Sequence, residues 1–526
     1  MRGLPISTQT FEKVVEKNFI YVDKTPFISK LINRGSYFFF ARPRRFGKSL
    51  LLTMLKSYFE GKKELFKGLY IYQKEQDWIE YPVVHIDYSL VEYKIGSDVF
   101  RKTLIIHLQT IASNYGIELE NDEVPTCFIE LVQKLETKYK QKVVVLVDEY
   151  DKPMIDMLGK EEQFIENREV LRSLYTNFKG LDASLQFVML TGVSRFSKVS
   201  IFSGLNNLDD ISNEDIFSTM VGFSQQELES NFEEYFPAIE QKFKINRPEL
   251  LDLIKMWYNG YSFDGENRLY NPFSVLNLFQ KKQFQNYWFS TGTPTFLMDL
   301  IKDQQKLPES FEGIKVNDLV GSSLNLRQFP LVPILFQTGY LTIAKREWYE
   351  FQEIYYLDYP NFEVKNSFLL FLTAAFKEVD EFDIQSQKLY LKDTLIEERI
   401  PDFVQLLQSF FADIPARLHI AKEAYYHSLT YLTLRLLGFK PLLEKETDKG
   451  RIDAVLELQD KIYIAEFKFA TSGKVKEVEA LSKKALDQIK EKKYYESFLD
   501  NKKRILLLGL GHLDKTIHAQ VEELEQ

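Results

Sequence analysis

The chain of 526 residues contains one cysteine, Cys127, so it can form neither an internal disulfide nor a cysteine-rich metal site. It also contains no run of about eighteen apolar residues, and we therefore expect no transmembrane helix. The first residues, Met-Arg-Gly-Leu-Pro-Ile-Ser-Thr, lack the apolar centre of a secretory signal peptide. Together these absences predict a cytoplasmic protein.

An excess of positive charge is missing as well. The formal net charge is −9, which argues mildly against a protein that coats nucleic acid over its whole surface but leaves room for a local basic surface. Low-complexity segments and internal repeats are also absent. The hydrophobic content of 45% is enough for packed cores. For a chain of this length, about three domains are expected.

The first stretch that points to a chemistry covers residues 37–59. An apolar run rich in aromatics predicts a buried strand, and a basic turn, Gly-Lys-Ser and an amphipathic helix follow it, which is the context of a phosphate-binding P-loop. Backbone N–H groups at the start of the helix attract phosphate. Lys48 would reach the outer phosphates, and the Ser49 hydroxyl would hold Mg²⁺. The predicted nucleotide-binding residues of this stretch are Arg42, Pro43, Arg44, Arg45, Phe46, Gly47, Lys48, Ser49 and Leu50.

Arg42 is a departure from the general pattern. It stands where the sequence G-x-x-x-x-G-K-[ST] has its first glycine. The alternative interpretation is an ordinary strand-to-helix connection that happens to contain Gly-Lys-Ser.

A second candidate element ends in an acidic pair. Five consecutive aliphatic residues, 143–147, suit a parallel strand buried on both faces, and Asp148 and Glu149 follow at its carboxyl end. This is the form of a Walker B segment, in which Asp148 would hold Mg²⁺ through water and Glu149 would orient or deprotonate the attacking water. The alternative is an acidic strand end that caps the next helix.

Other segments predict more of the same domain. Residues 82–88 and 185–195 have the pattern of buried strands, and helical patterns cover about 97–114 and 126–139. Arg195, at the end of the second strand pattern, could stabilise transition-state charge, within the subunit or toward a neighbouring one. A structural arginine paired with an acid is the alternative.

Five motifs together resemble the AAA-ATPase-like family of bacterial proteins. They are Tyr-Val-Asp-Lys-Thr at 21–25, Arg-Pro-Arg-Arg-Phe-Gly-Lys-Ser at 42–49, Val-Asp-Glu-Tyr-Asp at 147–151, Thr-Gly-Val-Ser-Arg-Phe-Ser at 191–197 and Trp-Tyr-Asn-Gly-Tyr at 257–261. The resemblance implies an α/β fold, a P-loop parallel sheet with added helices, and commonly a C-terminal domain similar to PD-(D/E)xK nucleases. It also accounts for Arg42, because that family carries the same arginine-containing loop.

The resemblance suggests three domains. These are a P-loop ATPase domain at 1–210, a helical lid and winged-helix-like region at 211–410, and a nuclease-like domain at 411–526. Within the middle region, residues 339–357 predict a β-hairpin that resembles the wing of a winged-helix module.

The C-terminal region carries a second constellation. Residues 450–458 and 461–469 alternate with period two, which predicts a hairpin. An even-length turn places Asp453 opposite Glu466, and Lys468 shares their face because it is two residues from Glu466. Opposed carboxylates are unfavourable in a sheet unless a cation such as Mg²⁺ or Mn²⁺ lies between them. Asp453 and Glu466 are therefore predicted metal ligands, and Lys468 would orient water for attack on a phosphodiester.

This arrangement resembles the D-x(n)-E-x-K site of the PD-(D/E)xK nucleases. Glu423, on a preceding helix, matches the first acidic residue of that superfamily, with Glu446 as a second candidate. Gln488 matches the helix that often supplies a glutamine. The alternatives are a surface β-ribbon with alternating charge and a degenerate nuclease fold that binds without cutting.

Lysines crowd the segment 474–504, which suits contact with a phosphate backbone, although interspersed glutamates also allow a solvated helix face. Our preferred hypothesis is an ATP-dependent nuclease in which nucleotide state controls cleavage of nucleic acid, with DNA as the favoured partner and a homo-oligomer as a further possibility. One alternative is a nucleotide-dependent signalling switch whose C-terminal domain binds nucleic acid or protein without cleavage. Another is an ATP-dependent remodeller of a protein partner.

Overall fold

The computed structural model describes residues 1–195, 201, 205, 207–291, 311–317, 331–377, 381–412, 433, 437–438, 454–470, 475–499, 503–513 and 516–524. The predicted site residues Asp453 and Glu423, and the candidate Glu446, lie outside these residues. The described residues up to 365 belong to one compact unit and those from 366 onward to a second. None of the described helices combines the length and the apolar character needed to cross a membrane.

The first unit is built around a parallel sheet. The strands of this sheet are β1 (Tyr37–Ala41), β2 (Val83–Asp87), β3 (Val143–Asp148), β4 (Leu185–Gly192) and β5 (Asp209–Asp210). Their order among the described residues is β2-β3-β4-β1-β5, and every adjacent pair is parallel. All residues of β1 and β3 are buried, as expected for strands that are covered on both faces. Because β4 separates β1 from β3, the carboxyl ends of all three strands lie side by side.

Helices connect and cover these strands. The α-helices of the first unit are α1 (Phe11–Glu16), α2 (Pro26–Arg34), α3 (Lys48–Phe59), α4 (Tyr70–Lys74), α5 (Ser97–Asn114), α6 (Val124–Tyr139), α7 (Lys152–Ile155), α8 (Glu161–Tyr175), α9 (Gln225–Asn231), α10 (Phe236–Phe243), α11 (Arg247–Tyr258), α12 (Pro272–Lys281) and α13 (Leu331–Thr338). The predicted strand–turn–helix is confirmed as β1 followed by α3, which ends at Phe59 as expected. The helical patterns at 97–114 and 126–139 are α5 and α6.

Thr25 precedes α2, but its side chain makes no capping bond to that helix. Thr25 instead donates its hydroxyl to the Asp23 carboxylate at 2.7 Å, and its Oγ1 accepts from the Ile71 N–H at 3.1 Å. The hydroxyl thus fastens α4 to the segment before α2, and Pro26, which has no N–H, starts that helix.

The helices from α9 to α12, both included, share an apolar core of their own. Its buried members include Leu228, Phe232, Ile254, Tyr258 and Phe279. Ile20 and Val22, from the segment before α2, also belong to this cluster. The amino-terminal segment therefore connects the parallel sheet to the helical region.

The predicted hairpin in the middle of the chain is confirmed as β7 (Thr342–Tyr349) and β8 (Gln352–Asp358), which are antiparallel. A short strand, β6 (Ile314–Val316), pairs with the other edge of β8. Helix α14 (Phe362–Lys377) follows the hairpin and contains the boundary between the two units.

The second unit contains a mixed sheet. Its described strands are β9 (Ala454–Glu457), β10 (Lys461–Ala470), β11 (Arg504–Leu513) and β12 (Thr516–Glu523), in the order β12-β11-β10-β9. Its described helices are α15 (Glu381–Ile396), α16 (Ile400–Ala412) and α17 (Val475–Lys492). The strands β10 and β11 are parallel, and α17 makes the crossover between them. Apolar residues of β10 and β11, among them Ile464 and Leu507, pack against Leu486 and Ile489 of α17.

Candidate functional sites

A cavity of about 410 Å³ opens at the start of α3 in the first unit. The turn before α3 forms one wall, and the end of β3 forms a second. The amino-terminal segment and the region from Met220 to Leu276 close the remaining sides. The lining residues of the P-loop turn are Arg44, Arg45, Phe46, Gly47, Lys48, Ser49 and Leu50, all of them predicted nucleotide-binding residues.

The turn adopts a conformation that exposes backbone to the cavity. Arg45 and Gly47 have φ values of 67° and 99°, so both are in the left-handed region that an ordinary side chain disfavours. Gly47 caps α3, and the N–H groups of the first helical turn therefore point toward the space in front of it. A site of this kind attracts an anion through those N–H groups and the helix dipole.

Lys48 is buried at the base of this turn. Its ammonium group donates to the carbonyl oxygens of Arg42 at 2.9 Å and Pro43 at 3.0 Å. Burial lowers the pKa of the Lys48 ammonium, and the neighbouring carboxylates of Asp148 and Asp151 oppose that shift. Lys48 is therefore a cation held by backbone and acidic groups beside the phosphate-binding turn.

Arg42 does not line the cavity. Its guanidinium donates to the carbonyls of Ala41 and Ser212, and it lies between the rings of Phe40 and Phe263, 4.3 and 4.0 Å from their centroids. Only 1% of the residue is exposed. The Arg42 carbonyl thus accepts a hydrogen bond from Lys48, whereas the Arg42 guanidinium is bonded to carbonyls inside the protein core. The Pro43 carbonyl plays the same part toward Lys48.

The acidic end of β3 lies next to β4. Thr191 donates its hydroxyl to Asp148 Oδ1 at 2.7 Å, and the Glu149 N–H donates to the same oxygen at 3.0 Å. These two bonds fix the orientation of the Asp148 carboxylate. Glu149 lines the cavity and has a φ of 51°, a conformation that costs energy in a non-glycine residue and is concentrated at functional sites.

A third acid, Asp151, joins the same edge. Its Oδ2 accepts from the Val193 N–H at 3.0 Å and from the Ser194 hydroxyl at 2.7 Å. Tyr150 donates its hydroxyl to the Ser194 carbonyl at 2.9 Å. Burial raises the pKa of the Asp151 carboxyl, and the bonds from Ser194 oppose the shift. The segment after β4 is therefore tied to the acidic end of β3 at several points.

Arg195 lies outside the cavity lining. Its guanidinium is 3.5 Å from the Asp210 carboxylate, and its backbone N–H donates to Gln337 Oε1 at 2.8 Å. The residue is 8% exposed. Arg195 thus makes an ion pair with an acid, as expected if it is a structural arginine. A catalytic role for Arg195 stays a prediction.

Lys24, from the Tyr-Val-Asp-Lys-Thr motif, also reaches the cavity. Its ammonium donates to the Glu227 carboxylate at 2.7 Å and to the Thr219 carbonyl at 2.9 Å. Glu227 in turn belongs to the capping box that starts α9. Lys24 therefore connects the amino-terminal wall of the cavity to its helical wall.

In the second unit, the predicted hairpin register is confirmed where the structure describes it. Ala454 pairs with Ala465 and Glu457 with Ile462, as an even-length turn requires. The prediction that Asp453 opposes Glu466 continues this register by one pair, but Asp453 lies outside the described residues.

Glu466 is the centre of the second candidate site. The Lys468 ammonium donates to Glu466 Oε1 at 3.1 Å, and the Gln488 amide donates to the same oxygen. Glu466 is 2% exposed, whereas about a third of the Lys468 side chain is exposed. Three of the five predicted nuclease residues are therefore in contact around one buried carboxylate.

The approach of α17 to the sheet depends on two glycines of β11. Gly509 and Gly511 pair with Glu466 and Lys468 of β10. A Cβ atom on Gly509 would lie 2.3 Å from the Ser482 carbonyl oxygen of α17. Only glycine allows this distance, and it brings Gln488 within reach of Glu466.

A divalent cation fits the chemistry of Glu466, because carboxylate oxygen is a ligand that Mg²⁺ and Mn²⁺ prefer. In the described part of the chain, no group of three or more His, Cys, Asp or Glu residues forms a metal cluster. At the first site, Ser49 and Asp148 offer the oxygen donors that Mg²⁺ would use beside a phosphate.

The predicted basic surface is partly neutralised. Lys490 pairs with Glu522 at 2.5 Å and Lys503 with Glu457 at 2.7 Å. Arg504 pairs with Glu523 and with Glu398. Lys483, Lys484 and Lys492 are exposed. The segment therefore offers less uncompensated charge than its lysine content suggests.

Comparisons with known proteins match the two regions of the chain that contain these candidate sites. Residues 5–202 match the family described as "Predicted AAA-ATPase", and residues 421–520 match the PD-(D/E)XK nuclease superfamily. A protein from Azotobacter chroococcum mcd 1, named "Uncharacterized protein in vnfD 5'region", is 38% identical over 517 residues, which cover 97% of this chain and 96% of that protein. The N-terminal region of the chain belongs to the AAA-ATPase-like family. The C-terminal region belongs to the PD-(D/E)XK nuclease superfamily.

Several residues that shape the site of this AAA-ATPase-like protein were not predicted as site residues. Asp151 and Ser194 were inside quoted motifs, and their position after buried strands could have indicated them. Asn271 approaches the Arg44 carbonyl with its side-chain amide, and it precedes Pro272, which is a helix-start signal. Trp288 donates its indole N–H to the same carbonyl, but it stands in no motif, and no local signal in the sequence could have related it to the P-loop.

Proposed function

We propose that this AAA-ATPase-like protein binds and hydrolyses ATP and that its nucleotide state controls metal-dependent cleavage of DNA at the C-terminal site. The convergence of Lys468 and Gln488 on the buried Glu466 carboxylate carries the nuclease half of the proposal. The cavity around Lys48 and Ser49 carries the ATPase half. A cytoplasmic location and self-association stay predictions.

At the first site, the polyphosphate would lie against the N–H groups at the start of α3. Lys48 would exchange its two carbonyl partners for phosphate oxygens, because an ammonium binds an anion more strongly than a neutral carbonyl. Ser49 and Asp148 would hold Mg²⁺, which when bound would neutralise phosphate charge. Glu149, at the cavity wall, would orient and deprotonate the attacking water. Partly buried apolar residues of the amino-terminal wall would face the base.

At the second site, Glu466 and Asp453 would hold the metal, which when bound would polarise the phosphodiester. Lys468 would place a water near the scissile phosphorus and stabilise the developing negative charge. Gln488 would keep the Glu466 carboxylate in one orientation through its amide N–H. Exposed lysines of α17 would contact the phosphate backbone.

The ATPase half is tested by nucleotide binding and turnover. We expect Lys48→Ala to abolish ATP binding and Glu149→Gln to bind ATP with wild-type affinity while hydrolysing it about 100-fold more slowly, which is the range for loss of a general base. Titration calorimetry and phosphate release measure the two effects. Wild-type hydrolysis by Glu149→Gln would contradict the assigned role.

The nuclease half is tested with labelled DNA and Mg²⁺ or Mn²⁺. We expect Lys468→Ala and Asp453→Ala to lose cleavage. Arg399→Ala, which changes an exposed arginine of the same unit that pairs with Glu397 and Asp402 outside α17, is the control and should cut normally. Cleavage that persists in Lys468→Ala at the wild-type rate would remove the nuclease assignment. RNA substrates in the same assay test the choice of DNA.

A further inference from the structure

We propose that Trp288 and Asn271 are positioning residues of the phosphate site, which hold the carbonyl of Arg44 and thereby aim the N–H of Arg45 into the nucleotide cavity. This inference rests on the proposed binding of ATP. It assigns a function to two side chains that lie far from the P-loop in the sequence.

The two side chains meet at one backbone oxygen. Trp288 Nε1 donates to the Arg44 carbonyl at 3.1 Å, and Asn271 Nδ2 approaches the same oxygen at 3.5 Å. Trp288 is 5% exposed and Asn271 is fully buried. Two donors therefore fix one peptide group of the P-loop from a region that lies outside the sheet.

The orientation of that carbonyl determines the orientation of the next N–H. In a planar trans peptide the C=O and N–H bonds point in opposite directions. The Arg44 carbonyl points toward Trp288 and Asn271, and so the Arg45 N–H points away from them. Arg44 and Arg45 both line the cavity, which makes this N–H a candidate donor to phosphate.

The turn needs such support because of its backbone. Arg45 has a φ of 67°, a left-handed conformation that is strained for a residue with a Cβ. Glycine would adopt this conformation without strain, but this chain carries arginine here. Fixing the preceding carbonyl with two donors offsets the strain and removes the alternative peptide orientation.

Both donors are themselves held in place. The Oδ1 atom of Asn271 caps α12 by accepting from the Phe273 N–H at 3.0 Å. The Trp288 backbone N–H donates to Glu363 at 2.6 Å, and its ring packs against Tyr340 with centroids 5.3 Å apart. A side chain that is fixed by other contacts loses little entropy when it makes one more bond.

Two substitutions separate this role from packing. Trp288→Phe removes the indole donor and keeps an aromatic ring. Asn271→Ser keeps a good helix cap but is too short to reach Arg44. Asn246→Ser is the matched control, because Asn246 caps α11 with its own side chain and lies outside the cavity lining. Each variant is studied as the full chain, with ADP and inorganic pyrophosphate as probes.

We expect Trp288→Phe and Asn271→Ser each to weaken ADP and pyrophosphate binding about tenfold, which corresponds to ~1.4 kcal/mol. Asn246→Ser should bind both as the wild type does. The melting temperature without nucleotide should be lower for Asn271→Ser than for Asn246→Ser, because Asn271→Ser loses the bond to Arg44 in addition to exchanging the cap. A purely structural role would lower the melting temperature in the same way but leave the affinity of the folded protein unchanged.

The outcomes distinguish this inference from the proposed function. If the wild type binds ADP, Lys48→Ala does not, and both positioning variants bind ADP as tightly as the wild type, the inference is wrong and the proposed ATP site stands. A loss of ADP affinity without a loss of pyrophosphate affinity also overturns it, because the effect would then concern the base. Absence of any nucleotide or pyrophosphate binding by the wild type overturns both.

Discussion

Arg42 shows how a single residue changes a phosphate-binding loop. The sequence predicts that its charge stands beside the nucleotide, but the guanidinium lies in the core between Phe40 and Phe263. There it donates to the carbonyls of Ala41 and Ser212 and, at 3.3 Å, to those of Phe217 and Ser218. Contacts with the segment that follows β5 therefore shape the loop of this protein. A glycine-rich loop would instead depend on its own backbone flexibility.

Replacement of Arg42 should therefore affect folding more than nucleotide chemistry. We expect Arg42→Ala to lower the free energy of unfolding by about 3 kcal/mol, because buried carbonyls lose their donors and a cavity forms. Urea unfolding monitored by circular dichroism measures the loss. Arg101→Ala, at a partly exposed arginine paired with Asp98 on α5, is the control and should change stability by less than ~0.5 kcal/mol. A fully stable Arg42→Ala protein that fails to bind ADP would restore the nucleotide-binding role.

Glu363 gives a pH prediction. Burial raises the pKa of its carboxyl to about 8 from an ordinary value of 4.5, although Ser274 and the Trp288 N–H donate to it. Between these two pH values the folded protein keeps a proton that the unfolded chain has lost, so raising the pH reduces stability. Above about pH 8 Glu363 is ionised in the folded protein as well, and a further rise in pH no longer reduces stability through this group.

Glu363→Gln removes this titration and keeps the shape of the protonated acid. We expect the two proteins to have similar unfolding free energies near pH 5, and the variant to be more stable by a few kcal/mol near pH 8.5, at roughly 1.4 kcal/mol per pKa unit. Denaturant titrations across this range measure the difference. Equal pH slopes for the two proteins would show that Glu363 ionises normally.

At the scale of elements, α17 positions the second site by lying close to β10 and β11. Gly509 allows this approach, since an added methyl group would meet Ser482 and Leu486 of the helix. The distance between the helix and the sheet determines whether Gln488 reaches Glu466. A local change in packing should therefore alter the site as well as stability.

We expect Gly509→Ala to destabilise the second unit by about 1–3 kcal/mol through overpacking and to reduce nuclease activity at temperatures where the unit is folded. Gly180→Ala is the control, because the nearest atom to its added methyl lies at 3.6 Å, an ordinary contact distance. Differential scanning calorimetry and the cleavage assay together measure the two effects. An unchanged melting profile and unchanged cleavage would mean that α17 can shift without consequence.

The elements were largely predictable, and the reasons are local. Buried aliphatic runs predicted β3 and β4, helical periodicity predicted α5, and alternation fixed the register of β9 with β10. These patterns are set by neighbours a few residues apart. The grouping of Glu466, Lys468 and Gln488 was also predictable, from the register and the resemblance to a nuclease superfamily.

The contacts between distant segments were not predictable from those patterns. Whether Arg42 points into the core or toward the cavity depends on Phe263 and Ser212, more than 160 residues away in the chain. The bond from Trp288 to Arg44 spans 244 residues. A single sequence contains no local signal for either, because tertiary packing decides them.

At the scale of the whole molecule, we propose that one unit binds nucleotide and the other binds DNA. The first carries Lys48 and Glu149, and the second carries Glu466 and Lys468. Helix α14 begins at Phe362 and contains the boundary between the units. Its second residue, Glu363, accepts from the backbone N–H of Trp288, whose indole N–H donates to Arg44 of the P-loop. The central claim is that nucleotide state controls cleavage.

The most direct test of that claim is the rate of DNA cleavage with Mg²⁺, measured with and without ATP, for the wild type, Lys48→Ala and Lys468→Ala. We predict that ATP changes the wild-type rate, that Lys48→Ala cuts at a rate that no longer responds to ATP, and that Lys468→Ala does not cut under either condition. Wild-type cleavage that is the same with and without ATP, or that persists unchanged in Lys468→Ala, would contradict the claim.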